Sequence, residues 1–194
     1  MFAVVGLGNP GAKYTGTRHN AGHMVIETLA RRAGVNLSLH KQTQTIQGTT
    51  RLGVGPGRDG EQVVFATLMS YMNTSGGPTS SLLKYYDIAP ENLIVVHDEL
   101  DIDFGTLRLK RGGGEGGHNG LKSITSSLGS KQYIRLRFGI GRPPGRQDPA
   151  DYVLSRFTSS QRPELDILLE EAAGAVTDVI EQGLEKATMR LHTR

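Results

Sequence analysis

The chain has 194 residues, a formal net charge of +3 at pH 7 and no cysteine. This length suits one ordinary domain, expected over residues 1–194, and 37% hydrophobic with 21% charged residues argues against wholesale disorder. No run approaches the ~18 uncharged apolar residues of a membrane span, and the absence of thiols excludes disulfides, zinc–thiolate centres, iron–sulfur clusters and cysteine nucleophiles.

Strand-like and helix-like stretches alternate, which favours an α/β fold in which helices sandwich a mixed β-sheet. The apolar N-terminus lacks the basic segment of a secretory signal, so we expect a first strand and a cytoplasmic protein. The predicted strands are Phe2–Gly6, Gln62–Leu68, Leu93–His97, Thr106–Lys110 and Ile134–Ile140, and the predicted helices are about Asn20–Ala33, Thr74–Tyr86, Gly120–Leu128 and Pro163–Ala187. The last two strands alternate apolar and polar residues, so each is expected to have one solvent-exposed face.

Charge is distributed unevenly along the chain. Between positions 108 and 146 nine basic residues stand against one acid, whereas between 160 and 186 seven acids stand against two bases. A basic segment of this kind fits contact with a phosphate backbone, although a solvated protein face would look the same. Glycine clusters at 53–60, which resembles a hairpin tip, and at 112–117, immediately before His118 and Asn119.

The opening motif Gly6-Leu7-Gly8-Asn9-Pro10-Gly11 matches the G-x-G-x-x-G dinucleotide-binding fingerprint. In that fingerprint the last glycine lies in the first turn of a helix, and an acidic residue about 20 positions later ends a second strand. Here the apolar helical pattern starts only near Ala21, and position 27 lies inside that pattern. Dinucleotide binding is therefore disfavoured.

Two polar groups are candidates for acid–base chemistry. His19 stands between the glycine turn and the first helix, and Asp98 ends a buried strand, where α/β proteins often bind ligands. An aspartate there can orient a histidine from another loop and stabilise its protonated form, although a surface histidine and a turn aspartate would leave the same pattern.

Four asparagines stand at predicted loop-to-helix junctions: Asn9, Asn20, Asn73 and Asn119. A side-chain amide both donates and accepts, so it can hold a peptide group or a water molecule without adding charge. Asparagine is also a favoured helix N-cap, and for Asn73 and Asn119 capping remains an equal alternative.

Five blocks in this order resemble the bacterial-type peptidyl-tRNA hydrolase family over essentially the whole chain. They are the opening glycine motif with Tyr14 and Arg18–Gly22, then Tyr71–Gly76, His97–Asp101, Gly112–Leu121, and Arg137–Pro143, and the ending Met189–His192 adds to them. The resemblance implies a monomer without cofactor or metal that hydrolyses the ester between a peptide and the 3′ ribose of tRNA. An enzyme of this kind would recycle tRNA from prematurely released peptidyl-tRNA.

The resemblance also implies residue roles. His19 would be the general base for water, Asp98 would orient it, and Asn9 would act at the ester and distinguish peptidyl from aminoacyl ends. The substrate would be bound by Tyr14, Tyr71, Asn73, His118 and Asn119, and its phosphates would be held by Lys110 and Arg137.

Family members commonly have Lys-Pro where this chain reads Thr67-Leu68, which changes the loop beside the Asn73 block, and Met189 replaces an asparagine. No G-x-S-x-G motif supports a serine nucleophile, and no H-E-x-x-H motif supports a zinc hydrolase. The alternative function is a catalytically inactive RNA-binding or ribosome-associated protein of the same fold.

Overall fold

Seven strands form one sheet in the computed structural model, which describes residues 1–192; the last two positions of the expected domain lie outside the described residues. The strands are β1 (Phe2–Gly6), β2 (Ser38–His40), β3 (Thr45–Gly55), β4 (Arg58–Leu68), β5 (Leu93–Glu99), β6 (Leu107–Arg111) and β7 (Ile134–Gly139). Their order is β2-β3-β4-β1-β5-β7-β6. The central strands β4, β1, β5 and β7 are parallel, and β2, β3 and β6 pair antiparallel with their neighbours.

Helices cover both faces of the sheet. They are α1 (Ala21–Ala33), α2 (Gly76–Tyr86), α3 (Asn119–Leu128), α4 (Pro149–Val153), α5 (Arg162–Gln182) and α6 (Leu184–His192). One buried cluster joins the sheet to α1, α5 and α6, and a second joins the other face to α2 and α3. The predicted α/β sandwich is confirmed. No helix within residues 1–192 is long and apolar enough to cross a membrane.

Three sequence predictions about these elements need correction. The predicted helix Pro163–Ala187 is two helices, because the positive φ of Gly183 (91°) is not helical and separates α5 from α6. Strands β2 and β3 were missed, since β3 is mostly polar and carries no apolar run. The prediction of one solvent-exposed face is confirmed for β6. It is wrong for β7, where Arg135 is only 2% exposed.

The glycines of the opening motif allow close packing between β1, the loop after it and α1. A Cβ on Gly6 would lie 2.2 Å from the Gly22 carbonyl oxygen, and one on Gly22 would lie 2.4 Å from both the Leu7 nitrogen and the Val96 oxygen. The Leu7 N–H also donates to Val96 O at 2.9 Å. The 3-10 turn Arg18–Asn20 leads directly into α1 and packs against β5. The expected absence of a dinucleotide-type helix start is confirmed, because α1 begins only at Ala21.

Gly22→Ala should destabilise the protein by roughly 1–3 kcal/mol, because the new methyl group meets backbone atoms that cannot rotate away. Gly174→Ala is the matched control: it lies on α5, and its nearest neighbour would be Arg32 Nη1 at 3.9 Å. There the gain in helix propensity should make the change neutral or stabilising by up to about 1 kcal/mol. Urea unfolding midpoints of the two variants measure the difference, and equal midpoints would contradict the packing argument.

Candidate active site

A buried carboxylate at the end of β5 binds two histidines. His19 Nδ1 lies 2.7 Å from Asp98 Oδ2, and His118 Nε2 lies 2.8 Å from Asp98 Oδ1. The Asp98 side chain is 2% exposed, against 15% for His19 and 10% for His118. Burial works to raise the pKa of Asp98, but the two histidines outweigh it and hold that pKa well below its usual range. Asp98 is therefore ionised, and it accepts a hydrogen bond from each of the two imidazole rings.

This arrangement determines which ring nitrogens carry protons. His118 Nδ1 accepts from the N–H groups of Gly120 (3.1 Å) and Leu121 (3.4 Å), so its proton is on Nε2, towards Asp98. Because an ionised carboxylate only accepts, His19 likewise carries its proton on Nδ1. The Nε2 atom of neutral His19 is then an unprotonated base in a cleft that this side chain lines.

A third histidine lies next to this group and stays uncharged. His97 Nδ1 donates to the Asp98 carbonyl oxygen at 2.8 Å, and its ring centroid is 5.1 Å from that of His118. Burial, the largest cause, lowers the pKa of His97 to about 3. His97 therefore packs beside the Asp98 cluster as a neutral ring.

Asn9 is fixed on three sides. Its Oδ1 accepts from the Met72 N–H at 2.7 Å, its own N–H donates to Asn20 Oδ1 at 2.9 Å, and its carbonyl oxygen accepts from Asn20 Nδ2 at 3.0 Å. Among residues 1–192 no group accepts from Asn9 Nδ2. Since Asn9 lines the same cleft as His19, that amide nitrogen is the donor it has left for a ligand.

Neither Asn73 nor Asn119 caps a helix. The α3 cap is His118, and the turn that contains Asn73 has no side-chain cap bond. The capping alternative is therefore wrong for both residues. Both side chains are exposed and line the cleft with Asn9 and His19.

The two predicted tyrosines lie at one side of the site. Tyr71 is 58% exposed and lines the cleft, and the Tyr14 ring packs edge-on against it with the centroids 6.3 Å apart. Tyr14 itself is not among the lining residues. It reaches the site through Tyr71.

The cleft also has apolar lining residues that the sequence did not predict. The cleft has a volume of about 460 Å³, and its apolar side chains are Met72, Leu100, Pro149, Ala150, Val153 and Leu154. Four of these belong to α4 and the residue after it. The signal for this short helix was Asp148-Pro149: Asp148 accepts from the Ala150 N–H at 3.0 Å, and proline fills the first helical position. Apolar side chains and amide groups that line the same cleft suit a peptide chain.

The two predicted phosphate ligands lie outside the cleft, on the neighbouring surface of the sheet. Arg137 is paired in register with His97 on β5 and with Arg108 on β6, and Lys110 is paired with Arg135. Register partners project to the same face, so Arg108, Lys110 and Arg137 form a basic surface that begins beside His97. Arg135 is not part of that surface: it lies over the Tyr133 ring and donates to the Gly114 carbonyl.

His19, Asp98 and His118 also form the one group within residues 1–192 whose atoms could hold a metal ion, all within 4.8 Å. The ring nitrogens that face Asp98 carry the protons of the two hydrogen bonds, so a metal ion would have to displace both protons. The metal-free site stays a prediction.

Comparison with known proteins gives one consistent result. The family model for peptidyl-tRNA hydrolase matches residues 3–194. The chain is 55% identical over 192 residues to peptidyl-tRNA hydrolase from Kineococcus radiotolerans, covering 98% of this chain and 96% of the relative. It is 52% identical over 193 residues to that from Arthrobacter sp., covering 99% and 96%. A crystal structure of peptidyl-tRNA hydrolase from Acinetobacter baumannii matches with a TM-score of 0.88 at 36% identity, covering 98% of this chain and 94% of that one. The chain belongs to the peptidyl-tRNA hydrolase family.

Proposed function

We propose that this chain hydrolyses the ester between a peptide and the 3′ ribose of tRNA, with His19 as the general base. The observation that carries the proposal is the His19–Asp98 pair, whose geometry makes Nε2 the basic nitrogen of a neutral His19 in a cleft it shares with Asn9. Pure RNA binding would not require a base and the buried carboxylate that orients it. Turnover is therefore favoured over the inactive alternative.

The reaction follows from these positions. His19 Nε2 takes a proton from a water molecule, and the resulting hydroxide attacks the ester carbonyl carbon. Asp98 stabilises the imidazolium, and the neutral amide of Asn9 donates to the oxyanion, with Asn73 and Asn119 holding the peptide backbone. When the C–O bond to the ribose breaks, the imidazolium returns its proton to the ribose 3′ oxygen. No step needs a cofactor.

The basic surface is the proposed site for the tRNA phosphates. Arg108, Lys110 and Arg137 lie on one face of β6 and β7, and Arg137 is the register partner of His97 on β5, so phosphates bound there would leave the 3′ end on the side of the cleft. Tyr71 and Tyr14 offer aromatic faces to the substrate at the other side. We expect a cytoplasmic monomer.

His19→Ala should lower kcat by ~10²–10⁴ while tRNA still binds, because the base is lost and the basic surface is intact.

Asp98→Asn should lower kcat by nearly as much. His118 must still donate its Nε2 proton to the carbonyl oxygen of the new amide, because its Nδ1 accepts from the α3 backbone. The NH₂ group of the new amide then faces His19 Nδ1. Because that nitrogen now has to accept, the proton of His19 moves to Nε2. Asp101→Asn, an exposed carboxylate on the loop after β5, is the control. Single-turnover rates on peptidyl-tRNA measure all three, and a wild-type rate in His19→Ala refutes the assignment.

Lys110→Ala and Arg137→Ala should each reduce the slope of log KM against log salt by roughly one unit, because each removes one phosphate contact. KM should rise more than kcat falls, and a short ester without tRNA should react at the wild-type rate. Arg31→Ala makes the same charge change on α1, against the opposite face of the sheet, and should leave the slope unchanged. Unchanged slopes in all three variants would place the tRNA phosphates elsewhere.

Asn9→Asp should slow hydrolysis of N-acetyl-aminoacyl-tRNA and improve that of free aminoacyl-tRNA relative to it. A carboxylate repels the developing oxyanion and attracts the ammonium of the unblocked end. The measurement is the ratio of kcat/KM for the two substrates, with Asn36→Asp, an exposed site, as the charge control. A ratio that does not fall in Asn9→Asp would make Asn9 a structural turn residue.

A further inference from the structure

The side chain of Asn20 holds Asn9 through both of its backbone groups. Asn20 Oδ1 accepts from the Asn9 N–H at 2.9 Å, and Asn20 Nδ2 donates to the Asn9 carbonyl at 3.0 Å. If the Asn20 amide were flipped, donor would face donor and acceptor would face acceptor. The placement of Asn9 thus depends on the amide orientation of Asn20.

His23, in the first turn of α1, contacts the side of this amide that faces away from Asn9. Its Nδ1 lies 3.4 Å from Asn20 Nδ2, and because Nδ2 is a donor, Nδ1 is the acceptor. The proton of His23 is then on Nε2, which is buried without a partner among the described residues. Burial lowers the pKa of His23 to about 4, so the ring stays neutral and able to accept at neutral pH.

Gly8 provides the space for this contact. A Cβ on Gly8 would lie 2.6 Å from His23 Cδ2 and 2.9 Å from Asn20 Cγ. The imidazole and the amide therefore pack directly against the backbone one residue before Asn9. The second glycine of the opening motif therefore allows this packing.

We propose that His23 is a positioning residue for the selection of peptidyl over aminoacyl ends, acting through Asn20 on Asn9. Its Nδ1 fixes the Asn20 amide, Asn20 fixes the Asn9 backbone, and the Met72 N–H takes Asn9 Oδ1. Asn9 then presents only its NH₂ to the cleft. This donor suits the acyl oxygen of a substrate and opposes an ammonium group, which has donors but no acceptor. The inference rests on the proposed role of Asn9.

The test compares His23→Asn with His23→Leu. The two new side chains are close in size, but asparagine can place an amide oxygen near the former Nδ1 position and leucine cannot. His23 borders a second cavity of about 370 Å³, next to Asn9 and Asn20, so the space left by the smaller side chains opens into that cavity. Each variant is assayed on N-acetyl-aminoacyl-tRNA and on free aminoacyl-tRNA, and the result is the ratio of the two kcat/KM values.

We expect His23→Leu to lower this ratio by roughly three- to tenfold, the usual effect of one hydrogen bond, and His23→Asn to stay within about twofold of wild type. Since both substrates are assayed on one preparation, partial unfolding cancels from the ratio. Thr28→Val, which removes another α1 side-chain hydrogen bond (2.9 Å to Met24 O), controls for a general loss of stability. An unchanged ratio in His23→Leu, or an equal fall in His23→Leu and His23→Asn, overturns the proposal.

The Asn9→Ala background separates this proposal from the one about Asn9. If His23 acts through Asn9, His23→Leu should change the ratio no further once Asn9 is alanine. A full additional effect in that background overturns the positioning route while leaving the role of Asn9 intact. A wild-type ratio in Asn9→Ala itself would instead refute the role of Asn9, whatever His23 does.

Discussion

The site depends on one buried negative charge. Asp98 is 3% exposed, and a carboxylate at that depth is stable only when donors satisfy its oxygens. Each oxygen receives one histidine, from the turn before α1 and from the start of α3, so these segments must meet at the end of β5. The same two bonds fix the proton positions on both rings. The two hydrogen bonds of Asp98 therefore stabilise its buried charge, hold the two segments together, and make Nε2 the basic nitrogen of neutral His19.

Close packing makes that meeting possible. Because Gly6 and Gly22 have no side chains, α1 lies against β1 at a distance that any Cβ would prevent. Had α1 been lifted by the width of a methyl group, the His19 turn would have been carried away from Asp98, since the turn leads directly into the helix. The dinucleotide fingerprint and this motif share their glycines for a common reason, close approach of backbone, but the partner here is a helix.

The sequence predicted the elements whose pattern reflects burial, such as β1 and β5, and it identified the polar groups at their ends. It did not predict β3, which has no continuous apolar run. There the buried side chains of Thr45 and Gln47 are polar, and they bond to each other and to Thr43. Arg135 was counted with the solvated cations because composition does not reveal that Tyr133 and the glycine loop cover it. The direction of the Asn9 amide was likewise not predictable, because the Met72 N–H that sets it is 63 residues away along the chain.

The proposed assignments place attraction for tRNA and selection of the substrate at different parts of this molecule. Every aminoacyl-tRNA carries the same phosphates, so the basic surface proposed to bind them would raise affinity for peptidyl and aminoacyl forms alike. Selection must then arise in the cleft, where Asn9, Asn73 and Asn119 are neutral and Asp98 is paired with two histidines. Neutral donors that are fixed in direction favour an acyl oxygen, whereas a free carboxylate would attract the ammonium that has to be refused. Under the proposed mechanism the buried Asp98, paired through both oxygens, offers no free carboxylate to that ammonium, and Glu99, the other acid that lines the cleft, is partly exposed on the chain one residue further.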